Sequence, residues 1–347
     1  MLTYSTAQLK RLAVHFVGNK NNNEDIFISK KESSLNQSLQ NTLITLLLSP
    51  FKSSEAYNFF HDSEITLNEL YKYCNDVFNN EKDFYLTSIK ASKHLYNCSE
   101  HPKIIGGEFF VAYFKHCILD SDLEVDAIGF YKFENKDSIL KLTNENDYFE
   151  LVQEDGISVS KIEKACLVYN TDKEKGYRVS IIDNSSSSES KYWKETFINA
   201  RSAVDDYNST KNFLRIYKTF VTEELPEKFD VSKVDQIDFL NRSINFFKEE
   251  EEFSIDIFNK KVIQSREVAE NFLTYKDNFQ KDMNWELSDD FEISPQAVKK
   301  QARIYKSVIK LDKNFHLYIH GDSELVEKGY DKDKGLNFYK IYYQDEN

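Results

Sequence analysis

The hydrophobic period of this chain changes at Gly107, and that change restricts it to folds containing both helices and strands. Upstream, apolar residues recur at helical spacing. Leu35, Leu39, Leu43 and Leu46/Leu47 share one face of a segment that Pro50 ends. Leu67, Leu70, Tyr71, Cys74 and Phe78 do so between Ile65 and Phe78, and a third helix is expected from Asp83 to Tyr96, ahead of Pro102. Before these, Leu12 to Val17 reads as a strand turning at Gly18-Asn19. From Gly107 the run GEFFVAYFKHCIL is apolar and aromatic, which predicts a strand. Asp126 to Glu134 and Ser138 to Leu142 follow around an Asn135-Lys136-Asp137 turn. Ala165 to Tyr169 and Tyr177 to Asp183 form another pair around Thr171 to Gly176. Helices with an antiparallel meander make an α+β domain.

The polar cluster Asn184 to Glu189 reads as a surface linker. At 347 residues the chain exceeds one small core, so a boundary near 190 divides it into domains 1–190 and 191–347. The second is helical. Ser209 to Val221 and Val231 to Phe247 carry strong helical periods; Ile255 to Val262 and Val268 to Phe279 carry weaker ones. Ser294-Pro295 is a helix start, Ser as the cap and Pro in the first turn. The chain closes in strands. Ile304 to Leu311 and Phe315 to His320 flank the turn Asp312-Lys313-Asn314, and Leu336 to Tyr343 is a third strand. The expected fold is α+β: N-terminal helices with an antiparallel sheet, then a helical region closing in a small C-terminal antiparallel sheet.

Charge separates along the chain. The net charge is −13, which argues against broad attraction to polyanions. From Glu223 to Asp290, 18 acidic residues face 9 basic ones. From Pro295 to His320 the sign reverses, Lys299, Lys300, Arg303, Lys306, Lys310 and Lys313 standing against Asp312 alone. On a continuous helix Lys299, Arg303, Lys306 and Lys310 would form one stripe able to follow phosphates. The strand expected beyond Ile304 cuts that stripe but leaves the cations near one another. The alternative is that they balance the acidic stretch within the fold.

Other chemistry finds little support. His316 and His320 lie on a strand, where residues four apart are about 13 Å from each other. His15, His61, His94, His101 and His116 lack zinc-type spacing. There is no phosphate-binding glycine loop and no nucleophile elbow, so no cofactor, metal or catalytic residue is expected. Cys74, Cys98, Cys117 and Cys166 are scattered and read as reduced thiols. The longest apolar run near the N-terminus, Leu43 to Leu48, is far short of the ~20 residues a bilayer needs. Met1 to Ser5 lacks the pattern of an export leader. The expected location is cytoplasmic, with no membrane contact.

Several stretches together resemble the 37-kilodalton nucleoid-associated protein family of bacteria, from about residue 8 to 343. They are His15-Phe16-Val17-Gly18-Asn19-Lys20, Gly107-Glu108-Phe109-Phe110-Val111, Asp126-Ala127-Ile128-Gly129-Phe130 and Val298-Lys299-Lys300-Gln301-Ala302-Arg303. Lys310 to Phe315 with His320-Gly321 also fits. The resemblance implies residence on the nucleoid and contact with double-stranded DNA, direct or through DNA-bound enzymes such as type II topoisomerases. It brings no catalytic motif. Two other readings stand beside direct DNA binding: an adaptor that reaches DNA enzymes without touching DNA, and an unrecognised enzyme with a deep pocket of titratable groups. The aromatic strand Leu336 to Tyr343 offers an edge for a homodimer.

Overall fold

Phe109 to Phe114 is an unbroken apolar run because both faces of its strand are covered. A computed structural model describes residues 2–52, 55–120, 122–145, 147–158, 161–184, 192–283, 287–303, 305, 308–318 and 325–345. The chain is α+β and divides into two compact units, 1–203 and 204–347.

The first unit runs β1 (Leu2–Thr3), β2 (Gln8–Val17), α1 (Gln37–Leu48), β3 (Tyr57–Phe59), α2 (Glu69–Asn79), α3 (Phe84–Cys98), β4 (Gly107–Leu119), β5 (Leu123–Phe133), β6 (Lys136–Glu145), β7 (Tyr148–Ile157), β8 (Lys164–Tyr169), β9 (Arg178–Asp183) and β10 (Ala200–Ser202). Its main sheet is antiparallel, in the order β1-β4-β5-β8-β9-β3-β10, with β2 also paired to β4. Side chains alternate between its faces. Phe109, Val111, Tyr113, Ile128, Phe130, Cys166 and Val168 pack with Leu70, Cys74 and Val77 of α2 and Ala91 and Leu95 of α3. Phe110, Ala112, Phe114, Tyr131, Ala165 and Leu167 pack with Leu43, Leu46, Leu47 and Leu48 of α1 on the other face. The result is three layers, helix, sheet and helix, and a central strand without a polar side.

Two expectations are corrected here. Ser138 to Leu142 does not fold back on β5. It pairs instead with β7, a strand that sequence reading missed, from Lys136 opposite Ile157 to Glu145 opposite Tyr148. The connection after β5 is held by Glu163, which accepts from the Glu134 backbone N–H and the Asn135 amide. The sheet begins with β1 and with β2, which contains the strand expected from Leu12 to Val17. Finally, the chain from Tyr192 to Ser202 packs in the first unit: Trp193, Phe197 and Ile198 join its core, and Asn68 donates to the Ile198 and Asn199 carbonyls. The units therefore part between Ala203 and Val204, not at 190; Ser185 to Glu189 lie outside the described residues.

The second unit runs α4 (Asp206–Thr219), α5 (Leu225–Lys228), α6 (Lys233–Glu249), β11 (Glu252–Ser254), α7 (Ile255–Phe258), α8 (Arg266–Met283), β12 (Asp290–Glu292), α9 (Pro295–Ala302), β13 (Val308–Leu311), β14 (Phe315–Tyr318), β15 (Val326–Asp331) and β16 (Leu336–Ile341). Asp205 caps α4, and Ser232 with Asp235 forms a reciprocal capping box on α6. Leu336 to Tyr343 does not extend the β13–β14 hairpin as a third strand. It pairs with the unforeseen β15, and β13 with β14, as two separate hairpins. No helix among the described residues is long and apolar enough to cross a membrane.

Candidate nucleic-acid interface

Helix α9 starts where Ser294 accepts the Ala297 N–H and Pro295 takes the first turn. Ala297, Val298 and Gln301 are buried, while Lys299 and Lys300 in the last turn and Arg303 at its cap are exposed. The helix ends at Ala302, so the four-cation helical stripe does not form. The chain leaves it through Tyr305, whose hydroxyl donates to the Leu214 carbonyl.

The hairpin β13–β14 answers which face of its sheet is covered. Ile309 is buried against Val234 and Ile237 of α6, with Leu311 and Leu317 beside it. Lys310 pairs with His316 across the hairpin, and Val308 with Tyr318. His316 and Tyr318 are exposed, as is Lys313 in the turn. Ile304, Lys306, Ile319 and His320 lie outside the described residues, as does the side chain of Lys310.

Both basic elements pack along one helix. Val298 of α9 shares a core with Leu240 and Ile244 of α6, and Ile309 packs two turns earlier, on Val234 and Ile237. At 1.5 Å per residue those contact points lie about 10 Å apart along the axis. Lys299, Lys300, Arg303 and the hairpin therefore sit in one neighbourhood. Sequence reading missed His316 and Tyr318 as members of it. Their alternation was visible, but only the register across the turn sets them opposite Lys310 and Val308. Lys299 and Lys300 also lie where cations favour a helix C-terminus, which by itself is worth only about 0.3–1 kcal/mol each.

The polar clusters of the first unit are internal struts. His15 touches Ser88 at 3.0 Å, a contact that resembles a nucleophile and its base. Its Nδ1 accepts the Ser29 N–H, so Nε2 carries the proton and donates to Ser88, whose hydroxyl donates to the Tyr85 carbonyl. A nitrogen that already holds a proton cannot activate that serine. Burial lowers the His15 pKa to about 4. The unfolded chain takes up a proton near its ordinary value and the folded chain resists, so stability is full above about pH 6.5 and falls as the pH drops toward 4. The wild type should lose about 1–3 kcal/mol more than His15→Gln between those limits. Urea midpoints at pH 7 and pH 5 test this; equal losses in the two proteins would show that His15 is not responsible.

The motif around His15 is likewise structural. A Cβ on Gly18 would stand 2.5 Å from the Glu24 carbonyl oxygen, so only glycine fits. The Asn19 amide, fully buried, donates to the His101 and Ile104 carbonyls. Gly129 serves a similar end, since the Tyr131 ring lies where its Cβ would be. Among the described residues, no group of three His, Cys, Asp or Glu could hold a metal.

No curated protein matches the chain significantly. Residues 13–338 match the family described as nucleoid-associated protein YejK.

Proposed function

Because this chain belongs to the nucleoid-associated protein YejK family, we propose that it acts on the bacterial nucleoid in the cytoplasm by binding double-stranded DNA directly and without catalysis. The contacts are to phosphates, through Lys299, Lys300, Arg303, Lys306, Lys310 and Lys313. The observation that carries this reading is the exposure of Lys299, Lys300 and Arg303 at the end of α9, on the same helix support as the β13–β14 hairpin that bears Lys313. His316 and Tyr318 add a donor and an aromatic face to that surface. Such contacts position a protein on a duplex without reading its sequence. The acidic remainder of the chain confines binding to this patch.

Titration of a duplex by fluorescence anisotropy at low and moderate salt tests the reading. Each phosphate contact contributes about 0.9 to the slope of log affinity against log salt. Changing Lys299, Lys300, Arg303 and Lys313 together to Ala should therefore flatten the slope by about 3.6 and weaken low-salt binding at least tenfold, with the circular dichroism spectrum unchanged. Salt-independent binding would sink the mechanism. No binding by the folded wild type at low salt would favour the adaptor reading instead, in which the acidic surface between Glu223 and Asp290 meets a basic face on a DNA-bound partner such as a type II topoisomerase subunit.

A further inference from the structure

Strands β6 and β7 form a ribbon that pairs with no other strand among the described residues. Ile157 at its root packs on the core, whereas both strands are exposed along their outer length. A two-stranded ribbon alone in water is marginally stable. Its two faces nevertheless differ in charge. One face presents Leu140, Leu142, Phe149 and Leu151, each 64–69% exposed, with Asn144 and Gln153 between them. Beyond the Ser138–Asp155 hydrogen bond near the root, the described side chains of this face carry no charge. The opposite face is mixed: Ile139, Tyr148 and Val152 alternate there with Asp137, Lys141, Glu150 and Glu154, and Lys141 and Glu154 are ion-paired at 3.3 Å. Four large apolar side chains on one face of an otherwise solvated ribbon are the mark of a surface that is covered in the working state.

We propose that this apolar face is a self-association surface, on which a second copy of the chain lays the same face of its own ribbon. The charge distribution selects that occupant. An uncharged strip has nothing with which to recognise a polyanion or a charged peptide, and the acidic residues behind it repel DNA. A second copy matches it: apolar face meets apolar face, and the charged faces of both ribbons stay in water. A two-fold contact of this kind closes on itself and stops at a dimer. The area agrees. A ten-residue ribbon is about 34 Å long and about 10 Å wide, so two such faces bury on the order of 700 Å², the size of a weak contact.

Sedimentation velocity of the full chain, from low micromolar to hundreds of micromolar, tests the proposal. The wild type should pass from monomer to dimer across that range, with little dependence on salt. Leu142→Glu should remain monomeric. Ile139→Glu, on the opposite face, should dimerise like the wild type. Leu142→Cys should cross-link on oxidation, and Ile139→Cys should not; the native cysteines are buried or half-buried. Both positions lie outside the core clusters, so neither change threatens folding. A wild type that stays monomeric throughout, or two glutamate variants that behave alike, would overturn the proposal.

Discussion

Changing Phe213 to alanine is expected to destabilise the second unit by about 3–5 kcal/mol, the range for truncating a large buried aromatic. Phe213 sits on α4 at the centre of a ring cluster and is fully buried. Its ring centroid lies 4.3 Å from Phe253, 4.9 Å from Phe258, and 5.7 Å from both Phe247 and Phe272. These rings come from β11, α7, α6 and α8, so one side chain ties four elements to α4. Removing it loses the transfer energy of the ring and leaves a cavity that five elements would have to move to fill. Phe213→Leu should cost less, since it keeps much of the volume. Urea unfolding followed by far-ultraviolet circular dichroism reads the difference. A midpoint shift below the equivalent of about 1 kcal/mol for Phe213→Ala would show that the cluster is not what holds these helices.

The second large effect is expected at Lys132. This lysine is fully buried in β5. Its ammonium donates to the Ile105 carbonyl at 2.6 Å and to the Tyr192 hydroxyl at 3.2 Å, and pairs with Glu134 at 3.2 Å. Tyr192 in turn donates to Glu134 at 3.2 Å. Burial lowers the Lys132 pKa, and the Glu134 carboxylate works against it. Lys132→Met removes one charge and leaves Glu134 largely buried without its counterion, which should cost about 3–5 kcal/mol. Removing both charges, as Lys132→Met with Glu134→Leu, should restore much of that loss, because replacing a buried pair by apolar groups is often near neutral. A double variant no more stable than the single one would show that the ammonium itself, through Ile105 and Tyr192, is what the sheet requires.

These two sites illustrate different relations between sequence and fold. Phe213 belongs to a helical period that can be read directly, with Leu214, Tyr217 and Phe220. Lys132 could not be anticipated. It lies in an apolar strand, and only the approach of the Ile105 carbonyl from the segment before β4, and of Tyr192 from beyond the serine-rich segment, surrounds it with acceptors. The same holds for the proposed DNA surface. The basic run from Lys299 to Lys313 is plain in the sequence, as is the start of its helix at Ser294. Which of its cations share a surface depends on the helix stopping at Ala302 and the strand starting at Val308, both packed against α6.

Local information therefore determined the α+β class, the helix start at Ser294, the strand from Gly107 to Leu119, the β13–β14 turn and the reversal of charge near Pro295. Each follows from side chains within a few residues of one another, through periodicity, capping or turn chemistry. Only the tertiary structure decided the pairing of β6 with β7, the separation of the two terminal hairpins, the boundary at Ala203 and the neutral, proton-holding role of His15. The last two depend on partners far away in the chain, such as Asn68 for Ile198 and Ser88 for His15. Burial and long-range hydrogen bonding set their energies, and neither can be summed from a local window.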